Sequence, residues 1–157
     1  MTEIEATVEI PASLADVWQL YFDPERWPIW VDGFTRVTAS SGYPERGGTL
    51  SWESNPAGRG RVSERVLEHD PRRLHRVEYV DPGSSGELVT RFEMLAAGPE
   101  GRRTSVTQQL SYSLRESGPV AALTDRLFIR SQMRGSLQRT LADLRAEAAF
   151  QDPSGDD

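Results

Sequence analysis

Apolar and polar positions alternate from the start of the chain. Ile4, Ala6, Val8 and Ile10 fall on one side of an extended segment and Glu5, Thr7 and Glu9 on the other, which predicts a half-buried strand over residues 4–10. Pro11 ends it. Ser13 is placed to cap a helix, with Asp16 at the capping-box position, and Leu14, Val17, Trp18 and Tyr21 then repeat at helical spacing. Asp23-Pro24 closes that helix and opens a second short one, which carries Trp27 and Trp30 and is broken by Pro28.

From Val31 to Leu114 the period is that of strands. The segments Phe34–Ser41, Thr49–Ser54, Gly60–His69, Leu74–Val80, Glu87–Leu95 and Arg103–Leu114 are separated by turn-forming clusters. Gly42-Tyr43-Pro44, Asn55-Pro56-Ala57-Gly58, Asp70-Pro71 and Asp81-Pro82-Gly83 are such clusters, as is Gly98-Pro99-Glu100-Gly101. The short connections make antiparallel pairing of consecutive strands the default. After Gly118-Pro119 only Gly135 interrupts the run Val120–Phe150, and Leu123, Leu127, Leu137, Leu141, Leu144 and Ala148 share one face of a helix. Such a helix is roughly 45 Å long at 1.5 Å per residue, enough to span a sheet. The expected fold class is α+β: a curved seven-stranded antiparallel sheet wrapped around a long C-terminal helix, with two short helices after the first strand. A sheet closed in this way encloses a space, and such a space is usually a ligand site.

Strand parity assigns the inward side chains. Val62, Glu64 and Val66 point in from one strand and His75, Val77 and Tyr79 from the next. Leu88, Thr90, Phe92 and Met94 share a face, as do Val106, Gln108, Leu110 and Tyr112, and Leu50 and Trp52. On the final helix Arg130 and Arg134 fall near the centre of the leucine stripe. An arginine there must snorkel, pair, or meet an anionic ligand. The expected partner of Arg134 is Glu64. A pocket built from these faces is lined by Trp52, Val66, Tyr79, Thr90, Phe92, Gln108, Leu110, Tyr112, Leu127, Arg130 and Arg134. Trp27 and Trp30 read as core or cavity-rim packing, His69 as surface, and Arg59-Gly60-Arg61 as a solvated turn. Gly58 and Gly60 read as a flexible hairpin near the cavity mouth.

Composition narrows the chemistry. The 157 residues are one domain's worth of chain, expected over 1–150, with an acidic disordered tail at 151–157. The net charge of −6 shrinks to −3 once Asp152, Asp156 and Asp157 of that tail are set aside, leaving no basic surplus for a nucleic-acid backbone. No apolar run is long enough for a transmembrane helix, and MTEIEATVEI lacks the pattern of a secretory signal, so a cytoplasmic location is expected. There is no Cys and all 18 basic residues are Arg, which excludes thiol and Schiff-base chemistry. Nothing has metal-ligand spacing, and no metal or cofactor is expected.

The motifs Ile10-Pro11-Ala12-Ser13, Asp16-Val17-Trp18 and Asp23-Pro24-Glu25-Arg26-Trp27-Pro28 bear a family likeness. So do Val66-Leu67-Glu68-His69-Asp70-Pro71-Arg72-Arg73-Leu74 and the long final helix. Over residues 3–149 the chain resembles the START-like, helix-grip superfamily (SRPBCC). Within it, the chain is similar to the bacterial polyketide cyclase/dehydrase and lipid transport group. The resemblance implies a deep apolar cavity between sheet and helix. Some relatives carry lipids, sterols or hormones, and others are aromatase/cyclases acting on poly-β-ketones. It brings no shared catalytic motif. Two functions follow as expectations. The first is binding of a hydrophobic small molecule, lipid or polyketide-like, by a monomer or homodimer. The second is a cyclase or dehydratase, with Glu64 or His75 as general base and Arg134, helped by Tyr79 or Tyr112, holding an enolate oxygen.

Overall fold

A computed structural model describes residues 2–55, 59–99, 101–115 and 122–150, with side chains of the last segment described from 126 onward. The expected acidic tail lies outside these residues. The elements follow in the order β1 (Thr2–Ile10), α1 (Leu14–Tyr21), a 3-10 turn (Pro24–Arg26) and α2 (Trp27–Trp30). Six strands come next: β2 (Phe34–Ser41), β3 (Thr49–Ser54), β4 (Arg61–Asp70), β5 (Leu74–Val80), β6 (Ser84–Gly98) and β7 (Gly101–Leu114). The helix α3 (Ala122–Phe150) ends the described chain.

The strands form one curved antiparallel sheet in the order β1-β7-β6-β5-β4-β3-β2. Every strand from β2 to β7 pairs with its sequence neighbour, and β1 closes onto β7 from Thr2↔Tyr112 to Ile10↔Thr104. β1 and β2 are therefore the two edges, and α1 and α2 carry the chain between them. α3 packs on β1, α1 and α2.

Local chemistry explains the elements. The Ser13 side chain accepts from the Asp16 backbone N–H at 3.2 Å and caps α1. The Asp23 carboxylate does the same for the turn at Pro24, accepting from the Glu25 N–H. Pro28 does not break a helix. It sits in the first turn of α2, where its fixed φ suits the helix and its missing N–H costs nothing. β6 and β7 run further than alternation predicts, as a ribbon paired from Ser84↔Leu114 to Leu95↔Arg103 and Gly98↔Gly101. Backbone pairing continues past the point where the sheet has anything to bury, and Met94 is consequently exposed.

The core lies between the concave face of the sheet and the C-terminal half of α3. Leu137, Leu141, Leu144 and Ala148 are buried there, with Leu144 fully covered. Each buried leucine contributes roughly 2 kcal/mol of hydrophobic stabilisation. The N-terminal half of the helix behaves otherwise. Leu127 is 61% exposed, and Arg130 and Arg134 are exposed as well, although all three were expected in the pocket. Arg130 shares a side with Leu137 and Leu144, but in this half the helix packs on the core through Ile129 and Met133, which are partly buried. Leu127, Arg130 and Arg134 are turned to the surface, and the guanidinium groups stay in water.

Candidate ligand pocket

Parity holds across the sheet's inner face. Leu50 and Trp52, Val62 and Val66, His75, Val77 and Tyr79, Thr90 and Phe92, and Val106 to Tyr112 at alternate positions are all buried. These side chains do not fill the space beneath α3. They leave a pocket of about 120 Å³ between the sheet, α2 and the middle of α3. Trp52, Tyr79, Thr90, Gln108 and Leu110 line it, and so do Glu64 and His75. Val66, Phe92 and Tyr112 are buried outside its wall. Leu127, Arg130 and Arg134 do not reach it.

The expected Glu64–Arg134 pair does not form, because Arg134 lies at the surface. Glu64 Oε2 instead accepts a 2.6 Å hydrogen bond from the Trp52 indole N–H. Burial pushes the Glu64 carboxyl up from the ordinary range, opposed by the Trp52 hydrogen bond and by the charge of Arg59. Arg59 was expected in a solvated turn. Its Nε instead pairs with Asp81 Oδ2 at 2.9 Å, and its guanidinium lies 4.6 Å from the Tyr79 ring centroid and 5.7 Å from that of Trp52. Asp81 in turn accepts from the Gly83 and Ser84 backbone N–H groups. Arg59 thus forms part of the pocket wall.

The opposite wall is a hydrogen-bonded chain. The Tyr21 hydroxyl is 2.8 Å from Thr90 Oγ1 and accepts from Gln108 Nε2 at 3.1 Å. Burial pushes the Tyr21 phenol up to about 12, so it is neutral. Tyr43, from the β2–β3 connection, is also held well above its usual value by burial and by the nearby Glu64 and Tyr21. Sequence reasoning placed Tyr21 on a core helix face and Tyr43 in a turn. The only signal for either as a pocket group was its hydroxyl.

His75 is 3% exposed. Burial first, and His69 second, push its imidazole down to about 3, so it is neutral at pH 7. Its Nδ1 is 3.0 Å from His69 Nδ1. His69, expected at the surface, is half-buried, with its ring 5.2 Å from that of Trp18 and 5.1 Å from that of Phe22.

Among the described residues, three pocket-lining side chains carry a buried polar atom with no hydrogen-bond partner: Trp30 Nε1, His75 Nε2 and Gln108 Oε1. The indole offers a donor, the amide oxygen an acceptor, and the imidazole nitrogen either. Each costs about 1–3 kcal/mol while unpaired. Among the described residues no group of three or more His, Asp or Glu side chains is gathered to hold a metal ion. None of their helices is long and apolar enough to cross a membrane.

Solved structures share this architecture. The ZhuI aromatase/cyclase from Streptomyces sp. R1128 superposes with a TM-score of 0.80 at 15% identity, covering 99% of each chain. A protein from Thermus thermophilus gives 0.73 at 21% identity, covering 96% of this chain and 99% of its own. Truncated norcoclaurine synthase from Thalictrum flavum gives 0.65 at 16% identity, covering 96% and 94%. At these identities the likeness is one of fold. No curated protein matches the chain by sequence. The match that covers the sequence itself runs over residues 1–149, and by it the chain belongs to the polyketide cyclase / dehydrase and lipid transport family.

Proposed function

We propose that the pocket binds a small, largely apolar, polyketide-like molecule built around a ring and bearing both a hydrogen-bond acceptor and a donor. The observation that carries this reading is the set of unpartnered atoms on Trp30, His75 and Gln108 in a wall made largely of aromatic and aliphatic side chains. A ligand that pairs them recovers their desolvation cost, and one lacking such groups does not. Size points the same way. A cavity of about 150 Å³ holds benzene; the void of about 120 Å³ here is of that order and opens to solvent, so it suits one ring whose substituents extend toward the mouth better than a long acyl chain. The aromatase/cyclase among the structural neighbours is consistent with such a ligand.

The test is a titration of intrinsic tryptophan fluorescence with 4-hydroxyacetophenone and, separately, with palmitate. Trp27, Trp30 and Trp52 all line the pocket and report on occupancy. The ring compound is expected to bind and the fatty acid is not. Leu110→Trp, which fills the space, is expected to abolish binding. Equal binding by that variant, or a preference for palmitate, overturns the reading.

A second reading, proton transfer of cyclase or dehydratase type, is favoured by Glu64. Its carboxylate faces the pocket with one neutral donor on it and no cation in direct contact, and its raised pKa makes it a stronger base. Glu64 would take an α-proton from a bound ketone, and the Trp30 N–H would receive the enolate oxygen in place of the distant Arg134. Loss of deuterium from methyl-deuterated 4-hydroxyacetophenone, measured by NMR, is then expected with the native protein and not with Glu64→Gln. Equal exchange in both removes this reading and leaves the binding function untouched.

A further inference from the structure

The two histidines occupy directly opposed positions on β4 and β5, His69↔His75, and meet Nδ1 to Nδ1 at 3.0 Å. Such a contact is a hydrogen bond only when one ring donates and the other accepts. Each ring has one remaining nitrogen, and its protonation follows from the direction of that bond. The rings are wedged in place. Phe22 stands edge-on to His75 at 4.8 Å and to His69 at 5.1 Å, and Tyr43 stands edge-on to His75 at 5.5 Å. His75 contributes to the pocket wall, where its Nε2 has no partner, and His69 is the half-exposed member.

We propose that His69 is a positioning residue that sets the tautomer of His75, so that proton uptake at His69 turns His75 Nε2 into an obligatory N–H donor toward a ligand carbonyl in the pocket. A cationic His69 has hydrogens on both nitrogens and must donate from Nδ1. His75 Nδ1 then accepts, and its single hydrogen resides on Nε2. With His69 neutral the bond runs in either direction, and Nε2 of His75 is a donor in one arrangement and a bare acceptor in the other.

The surroundings disfavour charge on His75 far more than on His69. Burial holds His69 below the ordinary imidazole range, and Glu45 from the β2–β3 connection and Asp70 from β4, which face it, partly offset that effect. Asp70 is itself paired with Arg73. Trp18 of α1, Phe22 just after it, and Tyr43 bring no charge. On His75 burial is the dominant influence and His69 adds to it, both against protonation. The proton therefore arrives at the outer ring and is felt at the inner one.

Linkage makes the effect reciprocal: a ligand that accepts from His75 Nε2 must raise the pKa of His69 by the same free energy. If the neutral pair populates both directions equally, forcing one of them improves affinity for such a ligand about twofold. The ligand part of the inference rests on the binding function proposed above. The tautomer part does not, and is read on the free protein.

The experiment is two-bond 15N–1H correlation NMR on the full-length 15N-labelled protein between pH 8 and 5. The expected result is that His75 carries its hydrogen on Nε2 wherever His69 is charged. His69→Phe, which removes the partner nitrogen, is expected to change the tautomer populations of His75 and to make them independent of pH. His69→Met serves the same purpose should the phenylalanine variant not fold. A His75 hydrogen on Nδ1 while His69 is charged overturns the proposal, as does an unchanged His75 in the variant. In the second arm the affinity for 4-hydroxyacetophenone is expected to rise about twofold or more as pH falls through the titration of His69, and to be flat in the variant. Absence of binding at every pH would count against the pocket's proposed ligand and leave the NMR result to decide the role of His69.

Discussion

Trp52 and Glu64 are diagonal neighbours on the inner face of the sheet, and the 2.6 Å bond from the indole N–H to Oε2 ties one to the other. Trp52 sits opposite Val62 and Glu64 opposite Leu50, so the two side chains lean across the β3–β4 ladder. The carboxylate accepts from a neutral donor and has no ion-pair partner in contact among the described residues, so only the more distant charge of Arg59 helps to offset its burial. Glu64→Gln keeps an oxygen for the indole and removes the desolvated charge. At pH 7 it is expected to be neutral or stabilising by up to about 1 kcal/mol. Glu64→Leu leaves the indole N–H unpaired and is expected to cost about 1–3 kcal/mol. Urea denaturation distinguishes the two. The pH dependence has a definite sign. A carboxyl whose folded pKa lies above its unfolded value loses stabilisation as pH rises through the folded value. That part of the slope is expected to vanish in Glu64→Gln.

Arg134 is expected to be independent of Glu64. Its side chain is exposed and its replacement removes no buried partner. Arg134→Met is expected to change stability by less than about 0.5 kcal/mol, as surface substitutions do. A double-mutant cycle with Glu64→Leu is expected to give a coupling energy near zero. A coupling of about 1 kcal/mol or more would show that the two charges meet.

The contrast between these residues shows what the sequence could convey. Strand parity depends only on the alternation of side chains. It placed Trp52, Glu64, His75, Tyr79, Thr90, Gln108 and Leu110 on the concave face correctly, and the pocket wall includes them all. Helical periodicity put Leu127, Arg130 and Arg134 on the buried stripe of α3, whereas in that half the helix packs through Ile129 and Met133. Period defines a stripe but not which edge of it meets the sheet at each point along a long helix, and Leu127 is exposed for that reason. The partners of buried polar groups were illegible for another cause. The Glu64–Trp52 bond and the His69–His75 contact depend on register, and register was fixed by turns and by the bulge between Val66 and Glu68. Arg59 looked like a turn residue because its partner Asp81 lies in a different loop.

Acid is expected to weaken the fold through His75. In the folded protein its imidazole stays neutral to about pH 3, whereas in the unfolded chain it is charged below about 6.5. The unfolded state therefore binds the extra proton throughout that window, and stability falls as pH falls. The shift corresponds to a loss of about 3 kcal/mol between pH 7 and pH 4. His69, also depressed by burial, acts in the same direction, and Glu64 opposes both. Urea midpoints at the two pH values are expected to differ markedly less in His75→Phe than in the native protein. Equal slopes would mean that His75 is charged in the folded state.

Asp81 organises the turn that carries Arg59's partner charge. Its Oδ1 accepts from the backbone N–H groups of Gly83 and Ser84, and its Oδ2 pairs with Arg59. Asp81→Ala removes all three and is expected to cost about 2–3 kcal/mol. Asp81→Asn keeps an acceptor for the backbone donors and weakens the pairing with Arg59, which is partly exposed. Its expected cost is smaller, about 1 kcal/mol. If the asparagine variant is as unstable as the alanine one, the ion pair and not the turn is the stabilising element.

Gly86 makes the approach of β6 to β7 possible beside Tyr79 of the pocket wall. It lies between Tyr79 on β5 and Tyr112 on β7. A Cβ at this position would come within 1.8 Å of the Ser111 carbonyl oxygen and 2.8 Å of the Tyr112 Cα. Both are backbone atoms of a paired strand, so no side-chain rotation relieves the clash. The strands must separate, and the adjoining pairs Glu87↔Ser111 and Leu88↔Leu110 go with them. Gly86→Ala is expected to destabilise the protein by about 3 kcal/mol, at the upper end for overpacking. Because Leu88 and Leu110 line the pocket, binding of 4-hydroxyacetophenone is expected to weaken in the fraction that remains folded. Gly98 provides the control. A Cβ there would meet only the Arg103 side chain, at 3.4 Å, and that chain can swing aside. Gly98→Ala is therefore expected to change stability by less than about 0.5 kcal/mol and to leave probe binding intact. Thermal melts of the two variants, with and without probe, separate the outcomes. Equal behaviour of the two glycines would show that the β6–β7 spacing at Gly86 relaxes without cost.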